Sequence, residues 1–323
     1  MEGKMQQIEI VPPLDSQLVS KQPIVLVLGF FDGVHRGHQA VIAAGRQLAD
    51  ERHLPLAVMT FNVHPAVIYG GADAATFAYL STKERKAELM AQNHVDILYT
   101  VDFTPEFSRL DPQAFVDQYL VGLNAAVVVA GFDYTYGKKD IANMALLPQY
   151  AGGRFEIIEV KQHDDNASKI SSTLIRRALQ DADVDAADHL LGYTYTTTGT
   201  VVHGEARGRT LGYPTANIET PVHEALPGIG IYVVTMKVQG QWHAGMASVG
   251  RNVTFGEHRP VTLEINLFDF SGDIYGEPVT VRWYHYLRGE VKFTGADGLI
   301  AQLAQDEHNS RAYLTQNHVA LHD

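Results

Sequence analysis

Two histidines, His35 and His38, stand one helical turn apart just after an apolar run, in the stretch GFFDGVHRGHQ from Gly29 to Gln39. Imidazole and glycine at the end of a buried strand suit a phosphate. Glycine lets the backbone approach a ligand closely and adopt positive φ. A following helix offers unpaired N–H groups and the positive end of its dipole. His35 and His38 can donate to phosphate oxygens and stabilise the charge that builds on a departing pyrophosphate. The other reading of the same residues is a strand–turn–helix corner in which the histidines cap or pack.

Two further stretches could serve the same cleft. ISSTLIR, Ile170 to Arg176, puts hydroxyls at a helix start and an arginine one turn later. Such a group can clamp triphosphate oxygens, or be an ordinary capped helix with a solvated arginine. TFNVHP, Thr60 to Pro65, ends an apolar run. Asn62 and His64 there either face the cleft or hold the loop.

A second constellation lies far along the chain, in GTVVHGEARGRTLGYPTANIE, Gly199 to Glu219. Gly204, Gly208 and Gly212 space a loop, and Arg207 and Arg209 supply charge. Thr215 and Asn217, two apart on an extended chain, point the same way. A hydroxyl and an amide oxygen are hard ligands suited to Mg²⁺, which keeps waters and bridges phosphates; a plain glycine-rich turn is the alternative. Glu264 sits among apolar residues in VTLEINLFDF. A buried carboxylate is costly unless partnered, so it is either a satisfied structural group or a general base. LRGEVKF adds Arg288, Glu290, Lys292 and Phe293.

The elements that must position these groups change type midway. PIVLVLG, LPLAVMTF, VDILYTV, AAVVVAG and RFEIIEV are apolar at nearly every position, as strands buried on both faces are. Helical patterns lie between them. Val41, Ala44, Gly45, Leu48 and Ala49 mark one helix face, and STKERKAELMAQN and DPQAFVDQYLVGL start at the capping residues Ser81 or Thr82 and Asp111. The alternation predicts a parallel sheet with helices on both faces. SSTLIRRALQDADVDAADHLLG reads as two short helices stopped at Gly192. From YTYTTTGTVV onward Thr-, Val- and Tyr-rich segments alternate with turn signals, which predicts an antiparallel barrel or sandwich. A last amphipathic helix presents Leu299, Ile300, Leu303 and Leu314. The domain boundary is expected near 186, giving domains 1–186 and 187–323.

Composition narrows the functions available. The chain has 323 residues, enough for two domains. A net charge of −12 disfavours broad nucleic-acid binding but leaves room for a small anionic ligand in a local site. There is no cysteine, which excludes disulfides, thiolate metal sites and a cysteine nucleophile. No apolar run is long enough to span a bilayer, and the first residues lack a signal-peptide pattern. A cytoplasmic protein with no membrane partner is expected.

The string G-x-F-D-G-V-H-x-G-H resembles the signature of the H-x-G-H nucleotidyltransferases. G-x-x-x-G-R-x-L-G-[FY]-P-T-A-N, the strand glutamate and the L-R-x-E-x-K-F close resemble the riboflavin kinase domain. In this order they resemble the prokaryotic bifunctional riboflavin kinase/FMN adenylyltransferase family over roughly residues 10 to 315. The resemblance implies an α/β Rossmann-like nucleotidyltransferase domain followed by a small antiparallel β-barrel kinase domain with a C-terminal helix. It implies riboflavin, FMN and ATP as substrates, Mg²⁺ as cofactor, and FMN and FAD as products.

It also implies site residues. In the first domain Gly29, Phe30, Asp32, Gly33, His35, Gly37, His38, Ser171, Ser172, Thr173 and Arg176 fall at the ATP, with His35 and His38 catalytic, and Asn62, His64 and Asp133 on the flavin side. In the second, Gly204, Gly208, Arg209, Gly212, Thr215 and Asn217 fall at the nucleotide, Thr215 and Asn217 on Mg²⁺, Glu264 as base, and Arg288, Glu290 and Phe293 at the flavin. The chain departs from the family pattern at Asn62, where an aspartate is usual, at Asn266, where a histidine is common, and in DYTYGKKDIAN, Asp133 to Asn143. The altered loop keeps two other readings open: a riboflavin kinase with weakened or lost adenylyl transfer, and a flavin-sensing regulatory protein that does not turn over.

Overall fold

Every side chain of the strand Ile24–Leu28 is buried, as are all those of Leu56–Phe61 and Ile97–Val101. Strands of this kind need cover on both faces, and the surrounding helices supply it. The computed structural model describes residues 4–69, 71–161, 164–165, 168–204, 207–251 and 261–322, with the backbone alone at 164, 165, 168, 169 and 207. Glu205 and Ala206 of the glycine-rich loop, and the side chain of Arg207, therefore lie outside the described residues.

The strands in chain order are β1 (Gln6–Ile10), β2 (Ile24–Leu28), β3 (Leu56–Phe61), β4 (Ile97–Val101), β5 (Ala125–Gly131), β6 (Glu156–Val160), the two-residue strands β7 (Asp164–Asp165) and β8 (Ser168–Lys169), β9 (Thr196–Val202), β10 (Ala216–Glu219), β11 (Gly230–Val238), β12 (Gln241–Gly250), β13 (Thr262–Leu267) and β14 (Pro278–Arg288). The helices are α1 (Arg36–Arg52), α2 (Pro65–Ile68), α3 (Lys83–Gln92), α4 (Pro112–Phe115), α5 (Leu147–Ala151), α6 (Ser172–Gln180), α7 (Val184–Leu191), α8 (Arg207–Thr210) and α9 (Ala296–Gln316). The chain divides into two compact units, Met1–Ser172 and Thr173–Asp323.

In the first unit six parallel strands run in the order β1-β4-β3-β2-β5-β6. The order reverses between β2 and β5, and ligands of open α/β sheets bind beyond the strand ends at such a switch point. Both β2 and β5 deliver predicted site residues there. Five of these strands were legible as apolar runs. The sixth, β1, was not, because QQIEI lies at the sheet edge and exposes most of its residues.

Helix α1 buries Val41, Ile42, Gly45 and Ala49, and Gly45 lies so close to Val27 that a side chain there would collide with it. The expected apolar face is therefore rotated slightly toward Ile42, leaving Ala44 and Leu48 half-buried. Thr82 and Asp111 cap α3 and α4 as expected, accepting from Arg85 N at 3.2 Å and Ala114 N at 2.7 Å. The segment after α4 continues as a π-helix over Val116–Val121.

The second unit is a closed barrel in the order β10-β13-β12-β11-β14-β9, all its pairs antiparallel. Trp283 and Tyr232 fill its interior, and the Trp283 indole donates to Thr197 Oγ1 at 3.0 Å. Helix α9 packs on β11, β12 and β14. Its buried face differs from the expected one. Leu314 is buried and Leu299 and Leu303 are half-buried, but Ile300 is exposed, and Asp306 and Ser310 occupy the packed side. Arg288 from β14 makes this possible. It holds the Asp306 carboxylate from two nitrogens, Nε at 2.9 Å and Nη2 at 2.5 Å.

Candidate active sites

The chain turns out of β2 through a tight, partly left-handed corner. Phe31 has φ 58° and ψ 40°, Gly33 φ 75° and Val34 φ 37°. Positive φ at a phenylalanine and a valine is costly and persists only where the surroundings fix it. Five hydrogen bonds do so. Buried Asp32 accepts from Leu80 N at 2.9 Å and Ser81 N at 3.4 Å. Ser81 Oγ accepts from Gly33 N at 3.2 Å, and Ser172 Oγ donates to Asp32 O at 2.9 Å. The Gln39 amide donates to Val34 O at 2.8 Å. Gly29 is required by close approach, since a Cβ there would stand 2.6 Å from the buried Phe31 ring.

This corner presents the two histidines as a stacked pair, ring centroids 3.5 Å apart at an interplanar angle of 16°. His35 is the N-cap of α1, its Nδ1 accepting from His38 N at 3.3 Å. The capping role and the chemical role therefore coexist: with Nδ1 an acceptor, the proton of the neutral imidazole sits on Nε2. Gly37 leaves room for that ring, with a Cβ position 3.3 Å from His35 Nδ1. Burial, then the neighbouring His35, Lys86 and His64, hold His38 well below the usual imidazole range. His38 Nδ1 is buried without a hydrogen-bond partner.

The structure adds a residue that sequence reasoning missed. Lys86 of α3 is 7% exposed, and its ammonium donates to Phe30 O at 2.8 Å and lies 3.8 Å from the Phe30 ring centroid. The only sequence signal was a lysine on the apolar face of STKERKAELMAQN, where Ala87, Leu89 and Met90 are buried with it.

The expected flavin-side residues fare differently. Asn62 ties β3 to the end of β4, donating to Asp102 Oδ1 at 3.0 Å and accepting from Phe103 N at 2.9 Å. His64 caps α2 through Nδ1, which accepts from Ala66 N at 3.0 Å, and its ring meets Phe30 edge-on at 4.5 Å. Asp133 follows β5, the strand beside β2. Its loop buries the hydroxyl oxygens of Tyr134 and Tyr136, neither with a hydrogen-bond partner. Ser171 and Ser172 are half-buried where α6 begins, and Thr173 and Arg176 follow on that helix in the second unit.

In the barrel, Asn217 pairs directly with Glu264 across β10 and β13. Directly opposed residues share one face of a sheet. Thr215, two residues earlier, donates to Glu264 Oε2 at 3.1 Å. Gly204 lies so close over Asn217 that any side chain there would displace its amide, and Gly208 lies similarly over Tyr213 O, 3.5 Å from Thr215 Oγ1 by its Cβ position. Gly212, at φ +82°, ends the loop. Buried Asn266 donates to Pro214 O at 2.7 Å and so fixes the PTAN segment against β13. A pocket of about 510 Å³ opens beside Thr215, lined by Arg209, Ile265, Phe270 and Tyr275 among others.

A carboxylate, an aromatic and a guanidinium close the region. Glu290 lies over the end of β12, its Oε1 2.7 Å from the Cβ position of Gly250. Phe293 is half-buried, 3.5 Å from the Cβ position of Gly298 at the start of α9. Arg288 is turned to Asp306 and Gly289 O, so the barrel uses it to anchor α9.

An oxygen-only pair of ligands beside one carboxylate fits Mg²⁺, which binds through few protein groups plus phosphates. No cluster of three or more His, Cys, Asp and Glu side chains capable of holding a metal occurs among the described residues. Among those residues no helix is long and apolar enough to cross a membrane.

Residues 18–174 match the family described as FAD synthetase and residues 191–314 the riboflavin kinase family. The bifunctional riboflavin kinase/FMN adenylyltransferase of Listeria monocytogenes is 49% identical over 90% of this chain and 93% of its own length. The Bacillus subtilis protein of the same description is 39% identical over 96% and 99%. A crystal structure of a Streptococcus pneumoniae protein named for macrolide efflux superposes with a TM-score of 0.86 at 38% identity, covering 95% of this chain and 99% of that one.

Proposed function

The chain belongs to the bifunctional riboflavin kinase/FMN adenylyltransferase family, and from that premise we propose which residues carry each of its two reactions. The enzyme phosphorylates riboflavin to FMN and transfers the adenylyl group of ATP to FMN, giving FAD and pyrophosphate. The altered loop at Asp133 to Asn143 does not remove the chain from this family, because relatives so described align with it from end to end.

The kinase reaction is assigned to the barrel. The observation that carries it is the Thr215–Asn217–Glu264 cluster under Gly204. Glu264 takes the proton of the ribityl 5′-hydroxyl as that oxygen bonds to the γ-phosphorus, and the bond to the ADP oxygen breaks. Thr215 orients the carboxylate through its hydrogen bond. Thr215 and Asn217 would hold Mg²⁺, which when bound neutralises phosphate charge. The glycine-rich loop crosses the phosphates, and the apolar lining of the adjoining pocket suits the adenine. Positioning and charge neutralisation suffice for such in-line transfers.

Adenylyl transfer is assigned to the corner after β2. An FMN phosphate oxygen attacks the α-phosphorus of ATP, and the bond to pyrophosphate breaks. His35 and His38 donate to phosphate oxygens as neutral imidazoles, and the N-terminus of α1 faces the same charge. Ser171 and Ser172 stand with them through the bond of Ser172 to Asp32. Asp133 and His64 border the flavin side.

The functional boundary is placed at 186/187, which lies between the two family matches. A cytoplasmic location is part of the same proposal, because both reactions consume ATP. Incubation with riboflavin, ATP and Mg²⁺, with flavins resolved by chromatography, tests it. FMN followed by FAD is expected, and both steps should stop on chelation of Mg²⁺. Full turnover in excess chelator would remove the metal assignment.

A further inference from the structure

Burying an ammonium costs several kcal/mol even after the protein relaxes. The hydrogen-bond partners of Lys86, Phe30 O and Thr60 Oγ1, are both uncharged. The one carbonyl it reaches, Phe30 O, already accepts from the Thr60 hydroxyl at 2.8 Å. An apolar side chain of similar length would fill the same space on the α3 face, as Met90 does a turn later. The charge itself must be what the position retains.

What that charge faces is the nucleotide corner. Just after β2, Phe30 offers its carbonyl and the face of its ring, a cation–π contact at 3.8 Å. On β3, Thr60 Oγ1 stands at 3.4 Å. Asp32, in the turn, favours the ammonium, while burial acts more strongly against it and brings Lys86 down to about 8. On α1 and at the β3–α2 corner lie the imidazoles, and Lys86 acts with His35 and His64 to disfavour a proton on His38. Two imidazoles stacked at 3.5 Å cannot both be cations cheaply, and a third positive charge alongside makes even one imidazolium costly.

We propose that Lys86 is a positioning residue of the adenylyl-transfer site, a buried positive charge that fixes Phe30 at the strand end and keeps the His35–His38 stack neutral. The positive charge is thereby carried by a group that need not touch the nucleotide. The histidines remain hydrogen-bond donors whose protonation does not change when a polyanion arrives. This rests on the assignment of His35 and His38 to the phosphates.

The test uses the full-length chain, Lys86→Met and Lys86→Arg. His38 is followed by NMR in ¹³C-histidine-labelled protein without nucleotide, its signal assigned by loss in His38→Ala. In Lys86→Met, His38 should take up its proton at higher pH than in wild type, and Lys86→Arg should follow wild type. FAD formation from FMN in Lys86→Met should fall about tenfold in kcat, less than the 10²–10³ typical of a lost direct donor. It should also gain an acid limb that wild type lacks, with riboflavin phosphorylation unchanged. If Lys86→Met does not fold, as judged by the histidine spectrum, Lys86→Gln is held to the same criterion. His38 titrating at one pH in all variants overturns the proposal, whatever the rates do. A His38→Ala variant that still made FAD at the wild-type rate would instead overturn the assignment of His38, and the titration would still decide the electrostatic role of Lys86.

Discussion

The Thr215 hydroxyl donates to Glu264 Oε2 at 3.1 Å across neighbouring strands of the barrel. It links a side chain of the PTAN segment to the only acidic side chain of β13. Glu264 is thus aimed at the place where Asn217 and the glycine-rich loop converge. Glu264→Gln keeps the shape and loses the base. Riboflavin phosphorylation should fall by roughly 10²–10⁴, with FMN to FAD conversion unchanged, as measured by flavin chromatography from each substrate separately.

Gly204 makes a prediction about binding. A methyl group there collides with the Asn217 amide. Gly204→Ala should push Asn217 from its position and raise the KM for MgATP in the kinase step about tenfold, near 1.4 kcal/mol. kcat should change less, because the interaction lost is one made equally before and during reaction. Steady-state kinetics over a range of ATP concentrations distinguish the two.

The Arg288–Asp306 pair predicts stability. Asp306 is 2% exposed in its side chain and Arg288 20%. Asp306→Leu leaves the guanidinium without its partner and should destabilise the barrel unit by about 3–5 kcal/mol. The double change Arg288→Met with Asp306→Leu should recover much of that loss. Urea unfolding followed through the fluorescence of Trp242 and Trp283, both in barrel strands, reads both.

Lys86 predicts a pH dependence of stability. Its folded value of about 8 lies below the ordinary 10.5. Between these values the unfolded chain holds more protons than the folded one, so stability rises with pH. The gain is complete above the ordinary value and is lost as pH falls through about 8. Relative to Lys86→Met, wild type should therefore gain unfolding temperature in the first unit between pH 8 and 10. A parallel pair of curves would contradict the depressed value.

Much of both sites was legible in the chain because phosphate chemistry demands contiguous residues. The corner from Gly29 to His38 is a single loop, and its glycines and histidines announce it. The barrel residues Thr215 and Asn217 are likewise local. Long-range partners were not legible. Nothing near Glu264 in sequence names Thr215, and nothing near His38 names Lys86, which arrives from another helix 48 residues on. Arg288 was expected at the flavin because its motif surrounds it. It also pairs with Asp306, a carboxylate that the helical pattern of α9 gave no reason to place inside. Strand β1 escaped for a different reason: an edge strand need not be apolar.

The division of the two reactions between His38 and Glu264 is tested most directly by assaying both half-reactions in both variants. His38→Ala should convert riboflavin to FMN at the wild-type rate and form no FAD. Glu264→Gln should convert added FMN to FAD at the wild-type rate and form almost no FMN from riboflavin. Either folded variant losing both activities together would contradict two independent sites.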